Sequence, residues 1–120
     1  MSYVTESGEQ ATFVYWCQVQ VNLGAYPDLA YGHSVPNGGK RDKRTAARMV
    51  AEGAHRGVPD WHLPVARGKF HGFWIEFKIG RNDLSDDQRD YIGFLARHGH
   101  KVVVAYSFEM ARDALVEYLK

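Results

Sequence analysis

The stretch FWIEFK, Phe73–Lys78, is the most strand-like run in a chain of 120 residues. Successive side chains of a strand point to opposite faces. Phe73, Ile75 and Phe77 therefore make one wholly apolar face, which belongs in a core, while Trp74, Glu76 and Lys78 share the other. The carboxylate and the ammonium stand about 6–7 Å apart along such a strand. Taken alone, they read as a surface ion pair, of the kind that contributes about 0–1 kcal/mol.

Working outward, Trp61, Leu63 and Val65 alternate, Arg67-Gly68-Lys69 makes a turn, and a strand is expected over Phe70–Lys78. The two runs read as an antiparallel hairpin. Just upstream, Gly57 permits a tight bend and Pro59 keeps Val58 extended, so that Asp60 arrives at the start of the first strand. In such a hairpin Asp60 lies beside Glu76. Two converging carboxylates repel unless a cation sits between them. Mg²⁺ and Mn²⁺ are hard ions that take carboxylate, carbonyl and water oxygens, and the backbone carbonyl of Phe77 would complete the set. Lys78 would then orient or deprotonate a water, or meet negative charge on a phosphorus centre.

Further along, Gly80–Asp83 is a turn, and Ser85 with Gln88 has capping-box spacing that opens a helix closed by Gly99. Asp83, Asp86 and Asp87 suit the turn and the helix N-terminus. KVVVAY, Lys101–Tyr106, is expected as a strand buried on both faces. Ser107 caps a last helix with Ala111, Ala114, Leu115, Tyr118 and Leu119 facing inward. On the N-terminal side, the spacing of Ser7 and Gln10 predicts a helix with Ser7 as N-cap, running to about Asn22. Its stripe is Phe13, Trp16, Cys17 and Gln20. Gly24–Gly39 reads as loop, with a short strand near Ala30–Val35, and a helix of about Lys43–Glu52 is ended by Gly53. The order implies an α/β fold, a mixed sheet flanked by helices, in one domain spanning residues 1–120.

The single cysteine, Cys17, excludes an internal disulfide and fits a reducing cytosol. MSYVTESGEQ does not read as a signal peptide, and no apolar run reaches the roughly 18–20 residues that span a bilayer, so a cytoplasmic protein without membrane contact is expected. Net charge is only +1, yet Lys40, Arg41, Lys43, Arg44, Arg48 and Arg56 cluster against only Asp42 and Glu52. The segment reads either as a solvated helix face or as a phosphate-binding surface. The six histidines show no zinc spacing; His33 and His62 are candidates for the neighbourhood of a substrate.

Pro59-Asp60 followed by Glu76-Phe77-Lys78 is the pattern of the PD-(D/E)xK nucleases, and the string GVPD…GFWIEFK…LSDDQ, from Gly57 to Gln88, resembles their VRR-Nuc branch. The Glu9-Gln10 pair in the first helix and the V-P-N-G loop at Val35–Gly38 extend the likeness. The resemblance implies a restriction-endonuclease-like fold and a Mg²⁺- or Mn²⁺-dependent phosphodiesterase acting on DNA. It makes Asp60 and Glu76 metal-binding carboxylates, with Phe77 alongside, and Lys78 the catalytic lysine. Glu9 would contribute from the first helix, with Glu6 a nearby competitor, and Gln88 would stand near the active centre unless capping is its whole role. A homodimer acting on branched DNA such as a Holliday junction is implied as well. Asn37, Lys40, Arg41, Lys43, Arg44 and Arg48 would hold backbone phosphates. The rival readings are a non-catalytic DNA-binding module of the same fold and a metal hydrolase acting on a small phosphoester.

Overall fold

The alternation in FWIEFK is realised in the strand Phe73–Phe77, whose Phe73, Ile75 and Phe77 are fully buried. The structure, a computed structural model, describes residues 4–36 and 42–120. Asn37, Lys40 and Arg41, expected to contact DNA, lie outside the described residues. The described strands are β1 (His33–Ser34), β2 (Trp61–Leu63), β3 (Phe73–Phe77) and β4 (Lys101–Ala105). They form one sheet in the order β1-β2-β3-β4, antiparallel across the first two pairings and parallel between β3 and β4. β3 begins three residues later than expected, because Arg67 and Phe70 pair with each other to close the turn. Beyond its end, the Lys78 N–H still donates to the Ala105 carbonyl at 2.9 Å.

Four helices flank the sheet among the described residues: α1 (Glu6–Asn22), α2 (Lys43–Ala51), α3 (Asp86–Arg97) and α4 (Phe108–Leu119). α1 and α4 pack on each other and on β3, whereas α3 joins β3 to β4 and packs on β4. The apolar core lies between the helical pair and the sheet. Phe13 of α1 sits edge-on to Trp61 at 4.9 Å between ring centres and 5.7 Å from Phe77. Tyr118 of α4 lies 4.8 Å from Phe73 and donates its hydroxyl to the Val65 carbonyl at 2.6 Å. This is the mixed α/β arrangement expected above.

Three local expectations are corrected. Ser7 is not the N-cap of α1: Thr5, in extended backbone, accepts the Gly8 N–H at 2.9 Å, and Ser7 falls inside the first turn. The loop before β1 contains a 3₁₀ turn, Pro27–Tyr31, where proline supplies the starting φ and Leu29 is buried. β4 is not buried on both faces: among the described residues it pairs only with β3, and Ala105 alone among its residues is buried. The other boundaries agree closely. Asp42 caps α2 by accepting the Thr45 N–H at 2.7 Å, Ser85 and Gln88 form the expected capping box on α3, and Ser107 caps α4.

Gly57 ties the loop before β2 to α3. Its φ is +82°, and a Cβ there would stand 2.2 Å from the Asp87 carbonyl oxygen. Gly53 also has positive φ, +101°, but a Cβ there would meet open space. Gly53→Ala is therefore expected to cost about 1–2 kcal/mol from backbone conformation alone. Gly57→Ala pays the same strain and must also push the loop off α3. Urea unfolding of the two variants should show the larger loss for Gly57→Ala.

Candidate active site

β2 and β3 bring the two sequence motifs together. Trp61 is paired with Ile75, so continuing the register by one residue sets Asp60 opposite Glu76 on the face that carries Trp74. Asp60 is held at three points. Its Oδ2 accepts the Phe77 N–H at 2.8 Å, its carbonyl accepts the Val35 N–H at 2.8 Å, and the same carbonyl accepts Gln10 Nε2 from α1 at 3.4 Å.

Glu76 is only 2% exposed, in the middle of the sheet. Its Oε2 accepts Gln88 Nε2 from the first turn of α3 at 3.2 Å, while Gln88 Oε1 completes the capping box on the Ser85 N–H at 2.9 Å. One amide thus both caps α3 and hydrogen-bonds Glu76. Glu76 Oε1 is buried and has no hydrogen-bond partner among the described residues. Burial, followed by the charge of Asp60 and a hydrogen bond with it, pushes the Glu76 carboxyl up to about 8, and Lys78 only partly opposes this. A carboxylate buried beside another carboxylate is poorly placed to ionise without a cation.

An open cleft of about 540 Å³ leads to this pair. Asp60, Glu76 and Gln88 line it, together with Glu6, Arg56, Gly57 and Asp87, and Ala46, Met49 and Val50 of α2 supply an apolar wall. Lys78 is not among the residues that line the cleft; it is half exposed at the end of β3, with its charge acting on Glu76 and on Asp83. Lys43, Arg44 and Arg48 lie exposed on α2, where Arg48 reaches Glu52 at 3.7 Å.

Glu9 is not brought to the cleft. Its Oε1 accepts the Phe108 N–H at 3.1 Å, at the first residue of α4. Glu6 is the α1 carboxylate that lines the cleft and raises the pKa of Glu76. The helix begins at Glu6, and Gln10 is four residues on, about 40° around its axis, so both face the β2 end that carries Asp60. Glu6 Oε2 also accepts Asn82 Nδ2 at 3.3 Å. Its signal in the sequence was the four-residue spacing from Gln10, hidden by placing the cap at Ser7.

On the same sheet face, one row further along, His62 stacks on Trp74 at 3.8 Å and meets His33 edge-on at 5.0 Å. Trp74 Nε1 donates to His100 Nδ1 at 3.1 Å. Burial, with His33 and His100 nearby, lowers His62 to about 4. This neutral ring is packed between strands next to the acid pair.

Among the described residues no three acid, histidine or cysteine side chains gather closely enough to hold a metal ion by themselves. The donor set nevertheless fits a hard divalent cation: an orphaned buried carboxylate oxygen, a second carboxylate across the strand pair, and room for water.

A family model described as the VRR-NUC domain matches residues 6–109. A solved structure described as a VRR_NUC domain protein is similar over 99% of this chain and 91% of its own, at 28% identity and a TM-score of 0.82. No curated protein matches.

The raised pKa of Glu76 has a signed consequence for the metal-free protein. The folded state keeps a proton that the unfolded chain, with its ordinary value near 4.5, releases first. The folded state binds more protons across that window, so stability falls as pH rises from about 4.5 through about 8. Glu76→Gln removes the charge and keeps the shape. It should flatten this slope and stabilise the metal-free protein by about 1–3 kcal/mol at pH 8. Urea unfolding in EDTA between pH 5 and 9 measures both.

Proposed function

Given that the chain belongs to the VRR-NUC family of nuclease domains, we propose that it is a Mg²⁺- or Mn²⁺-dependent endonuclease that hydrolyses DNA phosphodiester bonds, selects branched DNA by shape and acts as a homodimer. The observation that carries this reading is a buried Glu76 oxygen with no hydrogen-bond partner among the described residues, in an open cleft that Asp60 also lines. A surface ion pair between Glu76 and Lys78 does not bury the acid to this degree, nor does it need a second carboxylate.

Asp60 and Glu76 would hold the ion, with the Phe77 carbonyl between Glu76 and Lys78 as a further oxygen. Glu6 is better placed than Glu9 for the α1 contribution, directly or through water. A divalent ion bound there supplies Lewis-acid activation of water and of the phosphodiester. Gln88 fixes the Glu76 carboxylate by its hydrogen bond, and the Phe77 N–H does the same for Asp60, so both acids are preorganised before substrate arrives. Lys78 orients the attacking water and meets the negative charge that builds on phosphorus. The phosphorus–oxygen bond to the leaving nucleotide then breaks as the water's oxygen bonds to phosphorus, and the leaving oxygen takes up a proton. The basic segment from Lys40 through Lys43, Arg44 and Arg48 holds flanking backbone phosphates. It has no evident arrangement for reading base edges, which favours selection by DNA shape.

Cleavage of a labelled four-way junction in Mn²⁺ should be abolished by EDTA. Asp60→Asn, Glu76→Ala and Lys78→Ala should each lower the rate by at least about 100-fold. Symmetrically paired nicks on the junction, with little cutting of linear duplex, would support a shape-selective dimer. Equal cutting of every DNA would sink that part alone. Binding of DNA by the wild type without any metal-dependent cleavage would point to a non-catalytic module.

The α1 carboxylates separate cleanly. Glu6→Gln should weaken Mn²⁺ binding, followed by calorimetry, and slow cleavage, whereas Glu9→Gln should mainly lower stability by about 1 kcal/mol through the lost contact at α4.

A further inference from the structure

The cleft presents an electrostatic difficulty that the acid pair does not resolve. Glu6, Asp60, Glu76 and Asp87 all line it, and a DNA strand entering it is itself a polyanion. The basic residues of α2 are turned to solvent and do not line it. Among the described residues, Arg56 is the one lysine or arginine on the cleft wall.

We propose that Arg56 is the phosphate anchor of the cleft, its guanidinium gripping one phosphate of the DNA strand that lies across Asp60 and Glu76. This rests on the nuclease reading above and adds to it a residue that the motifs do not contain. Arg56 makes no salt bridge among the described residues, although carboxylates share its cleft. Its backbone is anchored on both sides. The Arg56 carbonyl oxygen lies 2.7 Å from His55 Nδ1 and accepts its proton, and the His55 ring packs against Tyr91 of α3 at 5.1 Å. Gly57, the next residue, is pressed onto the Asp87 carbonyl. A long cation on a fixed base, four residues before Asp60 on the chain, can stay by the cleft when no substrate is there. Arginine suits the task better than lysine, because its planar fork matches two phosphate oxygens at once.

The test is a thermodynamic cycle. Wild type, Arg56→Ala and Arg56→Lys are titrated in Ca²⁺ with fluorescent junctions that carry a single neutral methylphosphonate at each phosphate around the cut. One position should weaken wild type by about tenfold or more. Arg56→Ala should bind the unmodified junction about that much more weakly and be indifferent to the same methylphosphonate. Its slope of log affinity against log salt should be shallower by about 0.7–0.9, the loss of one phosphate contact. Arg56→Lys should keep the slope and recover only part of the affinity. Thermal unfolding midpoints check that the variants are folded. If every methylphosphonate weakens Arg56→Ala as much as wild type, and the salt slope is unchanged, Arg56 is not the anchor, even when wild type cuts DNA normally. If wild type neither binds nor cuts the junctions in Mn²⁺, the nuclease reading itself fails and the anchor with it.

Discussion

A carboxylate can be kept in the middle of a β-sheet only if its charge is met or its proton retained. Glu76 is that carboxylate, and much of the molecule is arranged around it. The apolar face of β3, with Phe73, Ile75 and Phe77 packed against α1 and α4, fixes the strand so firmly that Glu76 cannot swing out to water. β2 sets Asp60 beside it, and α3 sends Gln88 back over it. These contacts leave one oxygen without a hydrogen-bond partner among the described residues. In the absence of a cation, the group answers by holding its proton to a pH far above the ordinary carboxylate range.

The supports of the two acids come from separate parts of the chain. Gln10 on α1 reaches the Asp60 carbonyl, Val35 just beyond β1 reaches the same oxygen, and the Phe77 N–H fixes the Asp60 side chain. Gln88 serves simultaneously as helix cap and as the partner of Glu76, so the starting point of α3 and the orientation of the acid are one constraint. Gly57 brings the loop onto the same turn of α3. Site geometry and fold stability therefore share residues, and a substitution at Gln88 or Gly57 acts on both.

What could be read from residue order was what local physics decides. The alternation of β3, the cap at Ser85, the glycine ends of α2 and α3, and the approach of Asp60 to Glu76 all follow from spacing and turn chemistry. The start of α1 did not, because Thr5 and Ser7 are both capping residues. A cap at Ser7 leaves Glu6 outside the helix, whereas the cap at Thr5 makes Glu6 its first residue, one turn before Gln10. The burial of Glu76 was also hidden, since it depends on β4 pairing in parallel beyond a twelve-residue helix and on Gln88 folding back. The apolar run of β4 suggested a fully enclosed strand, but no further strand pairs with its outer edge among the described residues. Arg56 was visible only as one of six basic residues; its place in the cleft follows from how the loop docks on α3.

α2 differs from every other described helix in burying no side chain. It has nine residues, and helices of that length are marginal in water without tertiary support. The cleft therefore joins a floor whose opening requires breaking the core to a wall whose local opening free energy is small. Motion of that wall leaves the acid pair undisturbed, so entry of a bulky ligand and alignment of the reacting groups are governed by different parts of the energy landscape. Accessibility can change on the timescale of a fraying helix while the carboxylates keep the rigidity of a sheet.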